Sequence, residues 1–235
     1  MKKLLAILLV LVTLNASSEI RHTLPVKDVE KESQVIILTE KNHTALAEEV
    51  SDASVKHVMA DLMNRDESQE FFLYIESPGG SVIAGMLLVD YLQTQKNITC
   101  IASRAASMAF SILQACPKRI VTPTALLMQH LAYAGGSSDH ETSSTLKTQA
   151  EILRQMNDVM AEMEAKRLGI SKEKFLDLIQ NEYWLIGAKK ILGDNAADDS
   201  SSVICSKELV AKKVTKSQIT PFGTIESEVS ACPLL

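Results

Sequence analysis

The sequence predicts a layered α/β domain. Short apolar runs rich in branched and aromatic residues, Gln34 to Leu38, Phe71 to Ile75 and Ile98 to Ser103, read as buried strands. Segments of helical spacing alternate with them, the pattern of ββα or βαβ units. The 235 residues, 46% of them hydrophobic, are enough to bury a core without disulfides.

Ahead of that domain, Met1-Lys2-Lys3 and the apolar run Leu4 to Leu14, followed by Ala16, Ser17 and Ser18, have the pattern of a cleavable secretory signal over residues 1–16. The run is too short for a spanning helix of about twenty residues; retention of residues 4–14 as a membrane anchor is the alternative. A secreted or periplasmic location follows from the signal. Without residues 1–16 the chain keeps 22 basic and 29 acidic residues, a charge of −7. Residues 17–33 are polar, carry Pro25, and read as an N-terminal arm.

The domain is expected over residues 34–199. Its first strand is Gln34 to Leu38. Residues 44–63 carry apolar side chains near helical spacing and read as a helix, followed by a charged turn at 64–69. Phe71 to Ile75 leads into the turn Glu76-Ser77-Pro78-Gly79-Gly80. A helix over 81–93 should turn Val82, Ile83, Met86, Leu87 and Leu92 inward. After the strand Ile98 to Ser103 comes a short apolar helix, Ala105 to Ala115, stopped by Pro117. Two more strands are expected, Arg119 to Thr122 and Leu126 to Gln129. A loop at 132–139 precedes a long amphipathic helix over 143–167, whose seam Leu146, Ala150, Leu153, Met156, Met160 and Met163 faces either the core or another subunit. Gly169 ends it, and Ser171 opens a helix to about residue 180. Residues 200–235 read as a polar C-terminal tail.

Composition excludes several classes of function. With a net charge of −5 and 4% aromatic residues, the chain lacks the basic excess and the stacking surface of a nucleic-acid binder. No GxxxxGK[ST] phosphate loop occurs. No cofactor is implied, and no metal, since His22, His43, His57 and His140 have no ligand spacing with acids or cysteines. Cys100, Cys116, Cys205 and Cys232 form an even set without a CxxC. In an oxidising compartment they are able to pair, in any of three ways.

Three local features carry chemistry. The first is the glycine turn Ser77-Pro78-Gly79-Gly80-Ser81 between strand and helix, where backbone N–H groups can face outward. In the second, Arg104-Ala105-Ala106-Ser107-Met108-Ala109, Ser107 lies at a helix start among small residues. The third is Met128-Gln129-His130 at the end of an apolar strand. Taken singly, each has an ordinary structural explanation, as a tight turn, an N-cap and a structural histidine.

In combination, order and separation resemble the proteolytic subunit family of the Clp protease, ClpP, and more broadly the ClpP/crotonase superfamily, from about Gln34 to Asp198. The resemblance implies an α/β fold of repeated ββα units with a long helix for subunit packing. It also implies serine-type endopeptidase activity and assembly into a heptameric ring through the helix at 143–167. Carried over residue by residue, the nucleophile falls on Ser107, the general base on His130, and the oxyanion-hole N–H groups on Gly80 and Met108. The third member of the triad falls on Glu182, where the family has Asp; a one-residue shift substitutes Asn181, and Asp177 is the weaker neighbour. Arg104 and Ala109 also depart from the family's Gln and Gly. Signal-peptide-peptidase-like relatives use Ser with Lys, for which Lys147 and Lys166 are available, and a catalytically inactive scaffold retaining the fold is a further alternative. The expected partners are peptide or unfolded protein substrates. An exported chain is expected to work without an ATPase partner.

Overall fold

The alternating runs assemble into a mixed sheet in the computed structural model, which describes residues 35–134, 142–220 and 223–235. The signal at 1–16 and the arm at 17–33 lie outside the described residues, as do residues 135–139 of the expected loop. Strand β1 (Ile36–Leu38) is followed by β2 (His43–Leu46) and α1 (Asp52–Asn64). Then β3 (Phe71–Ser77), α2 (Val82–Gln93), β4 (Ile98–Ala106), α3 (Met108–Ala115) and β5 (Lys118–Gln129) alternate. The long helix α4 (Ser143–Leu168) precedes α5 (Lys172–Leu178), a 3-10 turn (Ile179–Asn181) and β6 (Tyr183–Ile186). The described chain ends with α6 (Ala188–Gly193), β7 (Asp199–Ser200), β8 (Val203–Cys205), α7 (Lys207–Ala211) and the hairpin β9 (Lys213–Thr220) and β10 (Gly223–Ser230).

The main sheet runs β2-β3-β4-β5-β6, with β7 added to β5. Strands β2 to β5 are parallel and β6 is antiparallel to β5. Parallel neighbours need a crossover, and α2 and α3 supply two of them. Alternate side chains leave the sheet on opposite faces. Leu73, Ile75, Cys100, Ala102 and Val121 enter the main core with the helices. Tyr74, Ile101 and Ile120 enter a second core on the other face, with Leu38, Leu209 and Cys232.

That second core changes the reading of the C-terminal segment. Residues 200–235, expected to be an irregular tail, form three strands and a short helix. Strand β8 pairs in parallel with β1, and the Cys205–Cys232 disulfide ties the segment's two ends together. Its sparse apolar residues, Leu209 and Cys232, cover the apolar side of β3, β4 and β5.

Three further expectations are corrected. The helix expected from residue 44 starts only at Asp52. His43–Leu46 is a strand instead, paired with Phe72 to Ile75, because Thr44 and Leu46 alternate inward. The helix is set by a capping box between Ser51 and Ser54. The two strands expected at 119–122 and 126–129 are one, β5. Its register jumps from Ala102↔Val121 to Arg104↔Leu126, so Pro123 sits where the ladder needs no donor. On α2, Ile83 and Leu87 are 68% and 56% exposed; the buried stripe is Ala84, Gly85, Leu88, Val89 and Leu92. The face is rotated because Gly85 lets α2 close on Met108: a Cβ there would lie 2.3 Å from Met108 Cγ.

Helix α4 is buried by its own chain only from Met160 onward. Of the expected seam, Met160 is buried, while Leu146 is exposed together with Ile152 and Val159. Up to Val159 the helix thus projects an apolar stripe that this protomer does not cover.

Candidate active site

The ends of three adjacent parallel strands carry the three motifs. Ser77, the last residue of β3, pairs with Ala105 of β4, and Ala105 and Ala106 pair with Leu127 and Met128 of β5. The glycine turn, Ser107 and His130 therefore leave the sheet together at its C-terminal edge, where open α/β sheets place their ligands.

Ser107 sits at a sharp turn between β4 and α3 with φ 53° and ψ −125°. Such a backbone costs a non-glycine residue about 1–3 kcal/mol and persists only where the surroundings hold it. Here the Ser107 N–H donates to Met128 O at 2.8 Å, and Gly79 packs against the turn's back. A Cβ at Gly79 would stand 2.5 Å from Ala106 O and 2.7 Å from Ser107 Cβ, so only glycine admits this approach. Although Ser107 occupies the N-cap of α3, its hydroxyl makes no capping bond. Its Oγ instead lies 2.9 Å from His130 Nε2. With Ser107 donating, Nε2 accepts and the imidazole proton is on Nδ1.

The expected oxyanion donors lie beside this pair. Gly79 O and Ser81 N both bond to Val50, at 2.8 Å each, which holds the turn while leaving the Gly80 N–H unused. The Met108 N–H is the first of α3 and has no intrahelical acceptor. Among the described residues neither donor has a protein partner. Two preset N–H groups next to an imidazole-bound hydroxyl form the arrangement that acyl transfer needs, one such donor being worth about 2.7–4 kcal/mol in a measured case.

Glu182 is not joined to His130. The β5–β6 ladder ends at Gln129↔Tyr183, and His130 and Glu182 are the next residues beyond it on the two chains, without pairing to each other; further on, the Leu131 N–H bonds to Ile179 O. Its backbone is in the left-handed region, φ 62°, and Oε2 accepts a hydrogen bond from Trp184 Nε1 at 2.9 Å. Asn181 and Asp177 are exposed. So are Lys147 and Lys166, neither of which bonds to Ser107 among the described residues. The contact to the hydroxyl is made by histidine, not lysine. Arg104 pairs with Glu76 at 3.8 Å on the half-exposed sheet edge.

One acid escaped the sequence reading. Glu164 of α4 is fully buried behind the site, and its Oε1 accepts from Ser111 Oγ at 2.5 Å and Gln129 Nε2 at 2.6 Å. Burial pushes its carboxyl up to about 7, and the two donors only partly oppose this. Gln129 Oε1 in turn accepts from the His130 N–H at 3.0 Å. The signal was present: Met160, Ala161, Glu164, Ala165 and Leu168 form one stripe at helical spacing, with a charge inside it.

No group of acids, histidines and cysteines fit to hold a metal occurs among the described residues. All four cysteines are paired, as Cys100–Cys116 and Cys205–Cys232. The first pair fastens the end of α3 to β4 and closes the loop that contains Ser107.

Comparison with known proteins agrees with this layout. The family model described as Clp protease matches residues 27–190. The chain is 32% identical over 146 residues to ATP-dependent Clp protease proteolytic subunit 2 of Tropheryma whipplei (strain Twist), covering 59% of this chain and 79% of that one. It is 34% identical over 131 residues to ATP-dependent Clp protease proteolytic subunit 1 of Leifsonia xyli subsp. xyli (strain CTCB07), covering 53% of this chain and 65% of the relative. With subunit 2 of Prochlorococcus marinus (strain MIT 9313) it shares 32% over 151 residues, 61% of this chain and 74% of that one. A match spanning most of the α/β domain, with the glycine turn, Ser107 and His130 converging inside it, makes the chain a member of the Clp protease family.

Proposed function

We propose that the chain is an exported serine endopeptidase. The observation that carries this is the 2.9 Å approach of Ser107 Oγ to His130 Nε2 beside the unused N–H groups of Gly80 and Met108. Ser107 attacks the peptide carbonyl while His130 takes the hydroxyl proton and returns it to the leaving amine. The two N–H groups hold the oxyanion. Water then attacks the acyl-enzyme with His130 again as base. Glu182, next to the ladder end that carries His130, orients the imidazole once its carboxylate leaves Trp184.

Export is supported by the Lys2 to Leu14 pattern and by the two disulfides, which persist in oxidising compartments. There the chain is secreted or periplasmic, or held by residues 4–14 at the membrane. It works without an ATP-driven partner, on peptides and unfolded proteins. The uncovered apolar stripe of α4 and the family membership support a homo-oligomer built through this helix.

The test is fluorophosphonate labelling of the wild type beside Ser107→Ala and His130→Ala. Labelling lost in both variants is expected. The bond between Glu182 and Trp184 favours a second reading, a scaffold that keeps the fold without turnover. A folded, assembled wild type that takes no label would establish it.

A further inference from the structure

The cavity beside Ser107 has an acidic floor. It is lined by Ser107 and His130 at its mouth, by Ser111, Gln129 and Glu164 below, and by Met156 and Met160 along the wall. Ser111 lies one turn after Ser107 on α3, about 5–6 Å deeper, and Glu164 Oε1 is a hydrogen bond further in. Both donors converge on Oε1. The other oxygen, Oε2, has no hydrogen-bond partner among the described residues and is not sealed from the cavity, although the residue as a whole is 1% exposed. It is therefore placed to accept from a donor that enters the cavity.

Position and depth identify that donor. An acyl group on Ser107 carries its own side chain, and this cavity opens from Ser107. Measured by depth, a long chain with a cationic tip matches the distance to the floor once the walls part, and a short one does not. Lysine offers a four-carbon stem ending in three donors, and arginine a planar fork that grips a carboxylate. The cavity is narrow, about 30 Å3, which admits water but no side chain as it stands. Its wall is made of unbranched methionines, which yield more readily than branched residues.

We propose, resting on the peptidase reading above, that Glu164 is a specificity-determining residue, selecting substrates with lysine or arginine on the acyl side of the scissile bond. Ser111 and Gln129 hold its carboxylate in place, and Gln129 links that floor to the His130 backbone.

The test has two arms. In the first, matched internally quenched peptides with Lys, Arg, Leu or Met at that position are compared on the wild type and on Glu164→Gln, which keeps the shape and hydrogen-bonding capacity of the side chain. The expected result is a preference of at least tenfold in kcat/KM for Lys or Arg. It falls at least tenfold in the variant, while cleavage after Leu stays within about threefold. A wild-type preference for Leu or Met, or a parallel loss on all four peptides, overturns the proposal. The second arm needs no turnover: n-butylammonium is titrated into Ser107→Ala protein with labelled methionine methyl groups. Shifts at Met156 and Met160, absent in the Ser107→Ala, Glu164→Gln double variant, support the site even if the chain proves inactive. Absence of those shifts overturns it even if the chain labels as a serine hydrolase.

Discussion

Glu182 and His130 flank the end of the β5–β6 ladder, whose last pair is Gln129↔Tyr183, yet the Glu182 carboxylate is held by the indole of Trp184 at 2.9 Å. The bond lies at the surface, with Trp184 45% exposed, where water competes with the indole for the carboxylate. A hydrogen bond to a charged acceptor contributes about 1.5–3 kcal/mol when sheltered, and less in the open. Trp184→Phe removes the donor and keeps the ring. Labelling of Ser107 by fluorophosphonate should then accelerate about three- to tenfold, the equivalent of roughly 1 kcal/mol, and Glu182→Ala should slow it. If neither substitution changes the rate, Glu182 does not orient the base.

The elbow at Ser107 is strained, with φ 53° at a non-glycine residue. Replacing Ser107 with Gly removes both the hydroxyl and the Cβ that makes φ 53° costly. Ser107→Ala removes only the hydroxyl. Both variants should be inactive, but Ser107→Gly should be the more stable by about 1 kcal/mol, after the entropy that glycine costs the folded state. Urea unfolding of the two proteins side by side measures this. Gly79→Ala should act oppositely, since its Cβ meets Ala106 O and the Ser107 side chain. Loss of labelling together with a lowered Tm is the expected result.

These two sites also mark what the sequence could and could not reveal. The turn at 77–80, Ser107 and His130 were legible because glycine needs and short-range strand signals are local, and parallel strands then bring their ends together. The failures were tertiary. His43–Leu46 has apolar spacing compatible with a helix, and only its pairing with β3 makes it a strand. The C-terminal 36 residues read as a polar, irregular tail, but Leu209 and the disulfide at Cys232 anchor them because the sheet supplies the rest of that core. Glu164 was passed over because a charged residue on a long surface-like helix reads as solvated. Only the packing of α4 on α3 reveals that it faces inward.

The Cys100–Cys116 disulfide closes a 16-residue separation that has Ser107 near its middle. A loop of that size contributes about 3 kcal/mol through the unfolded chain. Cys100→Ala with Cys116→Ala should lower the urea midpoint accordingly, and reduction of a Cys205→Ala, Cys232→Ala variant should reproduce the same decrement. The Cys205–Cys232 pair lies on the other face of the sheet. Its removal should free the C-terminal segment to proteolysis while leaving Ser107 labelling nearly unchanged.

Helix α4 offers a test of assembly. Ile152 and Val159 are seven residues apart, exposed, and on the part of the helix before its buried stretch begins at Met160. Ile152→Asp with Val159→Asp should dissociate the oligomer in sedimentation velocity without changing the far-UV spectrum. An unchanged sedimentation coefficient would assign assembly to another surface, such as the exposed Ile83 and Leu87 of α2.

The pH dependence of Glu164 follows from its burial. Its carboxyl is pushed from 4.5 in the unfolded chain up to about 7 in the fold, by desolvation first, with Ser111 and Gln129 opposing. Below about pH 4.5 both states hold the proton and no cost arises. Between 4.5 and 7 the unfolded chain releases a proton that the folded one retains, so stability falls as pH rises, and above 7 the cost is constant. The full difference is about 3 kcal/mol. Glu164→Gln carries no such proton. Its stability relative to the wild type should therefore increase from pH 4.5 to pH 8 by that amount, other groups cancelling in the difference. The groups facing Glu164 are Ser111 of α3 and Gln129 of β5, both neutral, with the His130 ring at the mouth of the same cavity. Because an ionised floor binds a cation and a protonated one does not, the preference for Lys over Leu substrates should also strengthen between pH 5.5 and 8. That ratio is insensitive to titration of His130, which acts on both substrates alike. A ratio flat across this range, with the stability difference intact, would keep Glu164 as a buried acid and remove it from substrate selection.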